Sequence, residues 1–299
     1  MKKVLSGLLS LCAWSALAAP SPWVNIEVQN GVPVLPITIN KQPSFAVLNT
    51  GMAFNALNQR FVEESQPNIK KSEIRYVAGA FHKNVQHHTY NNVEIGLLNS
   101  HADFDQLVGV KLENPKHSLV LGAPFFQNLI IQLDYTNQRI RLIPEGSVNV
   151  SPHENIKTET QKGSGQPIVQ VEADGHKLWL EIDTGYKGGI LVERKVARAS
   201  GWIKEPATTE LFQGITSVGK LDKASIKTLK FGPVSLEGVE LHFPSAGQQA
   251  YIESQHSSTG SMLKGKRVVG RIGYDVLKHF VLTLDHRQGH LHLGFPEDK

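Results

Sequence analysis

Two copies of one pattern occupy this chain of 299 residues, and the duplication limits the folds that the chain can adopt. An apolar strand runs into Asn49-Thr50-Gly51 in the first copy and into Asp183-Thr184-Gly185 in the second, 134 residues later. A glycine stands 18 residues before each of these turns, at Gly31 and Gly165. Repetition on this scale predicts two similar lobes, because each copy then forms one folding unit.

Short apolar stretches separated by polar turns predict β-strands in both copies. Strands are predicted to end at the two turns, over 45–48 and 178–182, and a short helical segment follows each turn at 58–64 and 193–199. The prediction is therefore an all-β chain with a few short helices.

A hairpin with a glycine near its tip follows in each copy. The first spans 77–81 around Gly79, and the second spans 212–216 around Gly214. Each copy then closes on two apolar residues and a glycine before a short helix. The second copy is longer before this last element, and its extra polar stretch from about 245 to 266 predicts a mobile surface loop.

The N-terminus has the pattern of an export signal. Two lysines precede an apolar run too short to span a bilayer, and small residues at Ala16 and Ala18 predict cleavage after Ala18. The only cysteine, Cys12, lies inside this segment, so we expect no disulfide or thiol chemistry in the mature chain. The predicted division is a signal peptide at 1–18, a first lobe at 19–145, a linker at 146–164 and a second lobe at 165–299, in a periplasmic or secreted protein.

Composition gives no support for several other functions. The 31 Lys and Arg residues are scattered among 27 Asp and Glu residues and are not interleaved with aromatic residues, so no nucleic-acid binding is predicted. No segment beyond the signal is long and apolar enough for a membrane helix. His290 and His292 share a strand face, but no acidic or cysteine residue stands at a ligand-like spacing. We therefore predict neither a metal nor another cofactor.

These elements, in this order and found twice, resemble the retropepsin and pepsin clan of aspartic peptidases. The repeat covers nearly the whole chain after the signal, from about 24 to 295. The resemblance implies an all-β, bilobal fold in which two duplicated β-barrel lobes surround a central cleft. The alternative is an unrelated duplicated β-barrel, because repeated short strands are common in β proteins.

The resemblance also implies roles for particular residues. In this clan each lobe supplies one aspartate, the threonines brace the two turns, and the glycines permit a close approach of the backbone. The glycine-tipped hairpins resemble flaps that close over an extended peptide, which pairs with them as an added strand. The implied catalytic set is Asn49, Thr50, Gly51, Asp183, Thr184 and Gly185, and the implied substrate-binding set is Gly79, Ala80, Glu181, Tyr186, Gly214 and Ile215.

Asn49 departs from the clan, because it stands where the second aspartate is expected. The clan's chemistry needs two carboxylates that share one proton, one activating water and the other polarising the scissile carbonyl. Asn49 keeps the shape and can donate a hydrogen bond, but it cannot release or regain a proton. The sequence therefore predicts a monomeric pseudopeptidase, or a very weak peptidase, that binds extended polypeptide.

The alternative is an active aspartic endopeptidase in which Asp183 activates water and Asn49 or Glu181 assists. Glu181 lies two residues before Asp183, which puts both side chains on the same face of a regular strand. The alternative is that Glu181 takes no part in catalysis and is a pocket-lining or solvated glutamate. An arrangement that brings two Asp183 residues together from two chains is a further alternative. Both copies depart again directly after the glycine, where the clan commonly has a small residue and this chain has Met52 and Tyr186.

Overall fold

The computed structural model describes residues 22–66, 68–81, 85–162, 165–204, 206–216, 218–248 and 265–296. The predicted signal peptide at 1–18 lies outside the described residues, as does most of the predicted loop at 245–266. Within the described ranges, no helix combines the length and apolar character needed to cross a bilayer.

Strands account for most of the described chain, with four short helices between them. The first half contains β1 (Val24–Asn25), β2 (Glu27–Gln29), β3 (Val32–Ile39), β4 (Gln42–Leu48), β5 (Ala56–Asn58), α1 (Gln59–Ser65), β6 (Lys71–Val77), β7 (Val85–Tyr90), β8 (Val93–Leu97), β9 (Ser100–Phe104), β10 (Leu107–Val110), β11 (His117–Leu121), α2 (Ala123–Phe126), β12 (Leu129–Asp134) and β13 (Arg139–Pro144). The second half contains β14 (Thr158–Thr160), β15 (Pro167–Ala173), β16 (His176–Ile182), β17 (Ile190–Val192), α3 (Arg194–Ala199), β18 (Thr208–Gln213), β19 (Val218–Phe231), β20 (Val234–Pro244), β21 (Val268–Ile272), α4 (Tyr274–Leu277), β22 (Val281–Asp285) and β23 (His290–Gly294). A 3₁₀ turn at Ser151–His153 precedes β14.

Each half builds one large sheet around the same central arrangement. In the first half, β3 and β4 form an antiparallel hairpin, and β4 runs parallel to β11. In the second half, β15 and β16 form the matching hairpin, and β16 runs parallel to β21. The prediction of a duplicated, all-β, bilobal fold is confirmed by this architecture. The predicted linker at 146–164 contributes β14, which pairs with β15.

Local sequence explains the matching hairpins. The turn between β3 and β4 has positive φ at both Asn40 and Lys41, and the turn between β15 and β16 has positive φ at both Asp174 and Gly175. Two successive residues with positive φ give the primed turn whose twist matches that of the flanking strands. β16 is an interior strand of its sheet, with β15 on one side and β21 on the other. Residues 178–182 are all buried, so both faces of the strand are covered in this stretch.

A third sheet of five strands joins the two halves. Its order is β1, β13, β12, β22 and β23, and β12 of the first half pairs antiparallel with β22 of the second. Apolar residues fill this pairing, with Ile131 opposite Leu284 and Leu133 opposite Leu282. The lobes therefore share a sheet and a hydrophobic core below the two turns.

His286 is buried in this shared region, just after β22. Its side chain is 0% exposed, packs beside the ring of Phe126, and places Nε2 3.0 Å from Gln166 Oε1. Burial disfavours the charged imidazolium and lowers the pKa of His286 to about 4. The equivalent position in the first half is Tyr135, a residue whose side chain stays neutral across the same range of pH.

We predict that His286 makes the fold less stable in acid. An unfolded histidine has a pKa near 6.5, so between about pH 6.5 and pH 4 the unfolded chain takes up a proton that the folded chain does not. The free energy of unfolding should fall by about 3 kcal/mol over this window through His286 alone. Urea unfolding at pH 7.5 and pH 4.5 should show a smaller loss for His286→Gln than for the unaltered protein. The control is His101→Gln at an exposed position, and equal losses in all three proteins would contradict the prediction.

Candidate functional site

The two repeated turns meet at the centre of the molecule. Each turn prolongs a strand of a parallel pair: Asn49 N donates to Leu121 O at 2.9 Å, and Asp183 N donates to Ile272 O at 3.0 Å. The closing apolar segments of the two copies therefore support the turns from below. This explains why the turn and the closing segment recur together in the sequence.

Thr50 and Thr184 join the turns by four reciprocal hydrogen bonds. Thr50 Oγ1 donates to Ile182 O at 2.7 Å, and Thr184 Oγ1 donates to Leu48 O at 2.8 Å. Each hydroxyl also accepts the other threonine's amide, at 3.0 Å from Thr50 N and 3.2 Å from Thr184 N. Both side chains are buried, so these bonds satisfy polar groups that water cannot reach.

Gly51 and Gly185 let each lobe's side chain lie across the other lobe's backbone. A Cβ at Gly51 would overlap the Asp183 carboxylate, and a Cβ at Gly185 would overlap the Asn49 amide. Asn49 and Asp183 are therefore placed symmetrically, one above each glycine. Asp183 Oδ1 accepts the amide of Gly185 at 2.9 Å, whereas Asn49 Oδ1 is buried and has no hydrogen-bond partner among the described residues.

Arg271, which the sequence analysis missed, lies beside Asp183. Its Nη1 is 2.8 Å from Asp183 Oδ2, and its Nε is 3.4 Å from Glu181 Oε2. Glu181 and Arg271 face each other in the register of β16 and β21. The first half has Val47 opposite Val120 at the same two positions. A signal for this pair did exist, because Arg271 is a charged residue inside an otherwise apolar closing segment.

Glu181 differs from both expectations for it. Its side chain is 3% exposed, so the carboxylate is not solvated, and Glu181 does not line the cleft formed by the described residues. The planar guanidinium of Arg271 bridges the two carboxylates of β16 and its turn, which explains how two acidic groups are buried so close together.

Both halves line a cleft of about 300 Å³ above the turns. Asn49, Gly51, Asp183, Gly185 and Arg271 are at its base. The hairpin tips and the residue after the second turn supply other walls, which include five predicted substrate-binding residues: Gly79, Ala80, Tyr186, Gly214 and Ile215. Thr50 and Thr184 lie beneath the cleft and do not line it.

Tyr186 lines the cleft, and its hydroxyl contacts a buried histidine. The hydroxyl lies 2.6 Å from His242 Nδ1, and His242 Nε2 lies 3.0 Å from Glu210 Oε1. Burial raises the pKa of Tyr186 well above 10, so the phenol stays protonated and adds no charge to the cleft lining. Within the described residues, no group of three or more His, Cys, Asp and Glu side chains is arranged to hold a metal ion.

Comparison with known proteins gives little further information. No family model matches the chain, and no curated protein matches it. One solved structure that matches is the crystal structure of a retropepsin-like aspartic protease from Rickettsia conorii. That match has 14% sequence identity and a TM-score of 0.30, and it covers 46% of this chain and 86% of the other.

We predict that the threonine hydroxyls are needed for stability. Thr184→Val keeps the side-chain volume but leaves Leu48 O without a donor and Thr50 N without an acceptor, which should cost about 2 to 4 kcal/mol. Thr184→Ser keeps the hydroxyl and should cost about 1 kcal/mol. Urea unfolding at neutral pH measures both losses. A valine variant as stable as the serine variant would show that the four bonds do not hold the turns together.

Proposed function

We propose that this protein binds extended polypeptide in the cleft between its lobes and hydrolyses peptide bonds weakly or not at all. The observation that carries the proposal is that Asp183 is paired with Arg271, while Asn49 occupies the position where a peptidase needs a second carboxylate. The proposal includes export to the periplasm or the exterior and action as a monomer, as the signal pattern and the presence of two lobes in one chain suggest.

The composition of the site argues against efficient proton transfer. Asn49 has no titratable proton, so it cannot exchange one with Asp183 or with a leaving amine. Asp183 Oδ2 accepts from Arg271, and Oδ1 accepts from Gly185 N. In aspartic peptidases two neighbouring carboxylates share one proton, which lets one act as an acid and the other as a base. Here the guanidinium of Arg271 contacts Asp183, so an ion pair replaces that arrangement.

The cleft walls support the binding part of the proposal. β6 and β18 are edge strands in the described sheets, and the ends of both strands reach the cleft, at Arg75 to Val77 and at Phe212 to Gln213. An edge strand presents main-chain groups that an extended peptide can pair with, whatever its sequence. None of these groups depends on a second carboxylate.

The second candidate function is an aspartic endopeptidase that works through one aspartate. The observation in its favour is the symmetric placement of Asn49 and Asp183 over Gly185 and Gly51, because an Asn49 amide there can donate to a scissile carbonyl. Glu181 does not assist in this scheme, since it is paired with Arg271 and lies away from the cleft.

We predict that Asn49→Asp alone does not create a peptidase, because Arg271 still holds Asp183. Activity should appear when Glu181→Val and Arg271→Val are added, since these give the second half the residues that the first half has at Val47 and Val120. Replacing a buried ion pair by apolar residues of matching packing is often neutral for stability. Mass spectrometry of a mixed peptide library at pH 3 to 7 detects the cleavage, and Asp183→Ala in the triple variant should abolish it.

The same library tests binding. The unaltered protein, immobilised, should retain peptides and release them uncleaved. Cleavage by the unaltered protein that disappears in Asp183→Ala would instead establish the one-aspartate endopeptidase. If the unaltered protein neither retains nor cleaves any peptide, the proposed function is wrong.

A further inference from the structure

An aromatic side chain of the first half is buried in the second half. Phe81 lies beyond the end of β6, on the hairpin that the sequence predicts as a flap, yet it is only 5% exposed. It packs in a small apolar cluster with Tyr186, Leu191 and Leu221, all from the second half. Its ring meets Phe212 edge-on, with 6.0 Å between centroids and 68° between planes.

Gly219 on β19 provides the space for this ring. A Cβ at Gly219 would lie 2.5 Å from Phe81 Cδ1, so any larger residue would displace the ring. The φ of Gly219 is not in the left-handed region, so glycine is required there by space and not by backbone conformation. The ring of Phe81 therefore fills a pocket that has Gly219 on one side and Tyr186, Leu191, Phe212 and Leu221 around it. We call it the ring pocket.

The ring pocket is continuous with the cleft. Three of its walls, Tyr186, Leu191 and Phe212, also line the cleft above Asn49 and Asp183. A polypeptide lying in the cleft would pass the mouth of the ring pocket, but its side chains could enter only if Phe81 left.

In the described part of the first hairpin, strand β6 buries little apolar surface that would oppose such a movement. Six of the seven residues of β6 are exposed, and only Val77, at its end, is buried. A segment with so few buried apolar contacts opens at low cost. The second hairpin offers a matched case, because its Ile215 packs on an apolar cluster of the first half that includes Met52 and Val77.

We propose that the ring pocket is a binding site for an aromatic side chain of the bound polypeptide, and that Phe81 fills it as an internal competitor. This inference rests on the proposed polypeptide-binding function. Because the site is open for only a fraction of the time, the apparent affinity for an aromatic peptide is reduced by that fraction. Removing the competitor should therefore raise the affinity selectively for aromatic ligands.

The test compares two heptapeptides, alanine and serine throughout except for one central Phe or one central Ala, by isothermal titration. Phe81→Ala should bind the Phe peptide on the order of tenfold more tightly than the unaltered protein does, with little change for the Ala peptide. Adding Gly219→Ala to Phe81→Ala places a methyl group in the ring pocket and should remove the gain in affinity for the Phe peptide. Leu211→Ala changes an exposed residue of β18 that does not line the cleft, leaves Phe81 in the ring pocket, and should give no aromatic preference.

A second probe separates this proposal from the proposed function. N-acetyl-phenylalaninamide, followed by NMR chemical shifts of the Gly219 amide, reports on the ring pocket without any need for peptide binding. If Phe81→Ala binds this probe but neither heptapeptide, the pocket is real and the polypeptide-binding function is wrong. If both heptapeptides bind the unaltered protein and Phe81→Ala equally well, the pocket proposal is overturned and the binding function stands. Phe81→Leu, which keeps an apolar contact, should give a smaller gain in the same direction and serves if Phe81→Ala fails to fold.

Discussion

The reciprocal hydrogen bonds of Thr50 and Thr184 are the constraint on which the rest of the site depends. They tie each turn to the last backbone carbonyls of the other lobe's strand, at Leu48 and Ile182. Buried polar groups that have no access to water must be satisfied by each other, so the turns have one low-energy relative position. That position fixes where the Asn49 and Asp183 side chains lie and brings the shared sheet of β12 and β22 directly beneath them.

One backbone frame carries two different chemistries in the two halves. At three equivalent positions the first half has Val47, Asn49 and Val120, and the second half has Glu181, Asp183 and Arg271. The first set is apolar except for a neutral amide, whereas the second is a network of two buried carboxylates and one partly exposed guanidinium. Breaking one member of such a network exposes the others as uncompensated buried charges. The three charged residues of the second half therefore depend on one another.

The sequence predicts the backbone of this protein better than its side-chain contacts. The repeated order of elements in the two copies marks the strands, the turns and both hairpins, because a repeat and an apolar period are local signals. The pairing of Glu181 with Arg271 is not local, since it depends on the register of two parallel strands far apart in the chain. Phe81 was missed as a contact for the same reason, because nothing near it in sequence indicates that its ring is buried in the other half.

The contacts above and below the cleft differ in kind. Below it, four buried hydrogen bonds and a shared sheet join the halves. Above it, the described parts of the hairpins cross by apolar side chains that include Phe81 and Ile215, each packed on the opposite half. Apolar contacts of single side chains are non-directional and are exchanged readily for equivalent ones, whereas buried hydrogen bonds leave unsatisfied groups when they break. The cleft should therefore open from the hairpin side, with a ligand's apolar groups replacing those of the hairpins, while the geometry of the two turns stays unchanged.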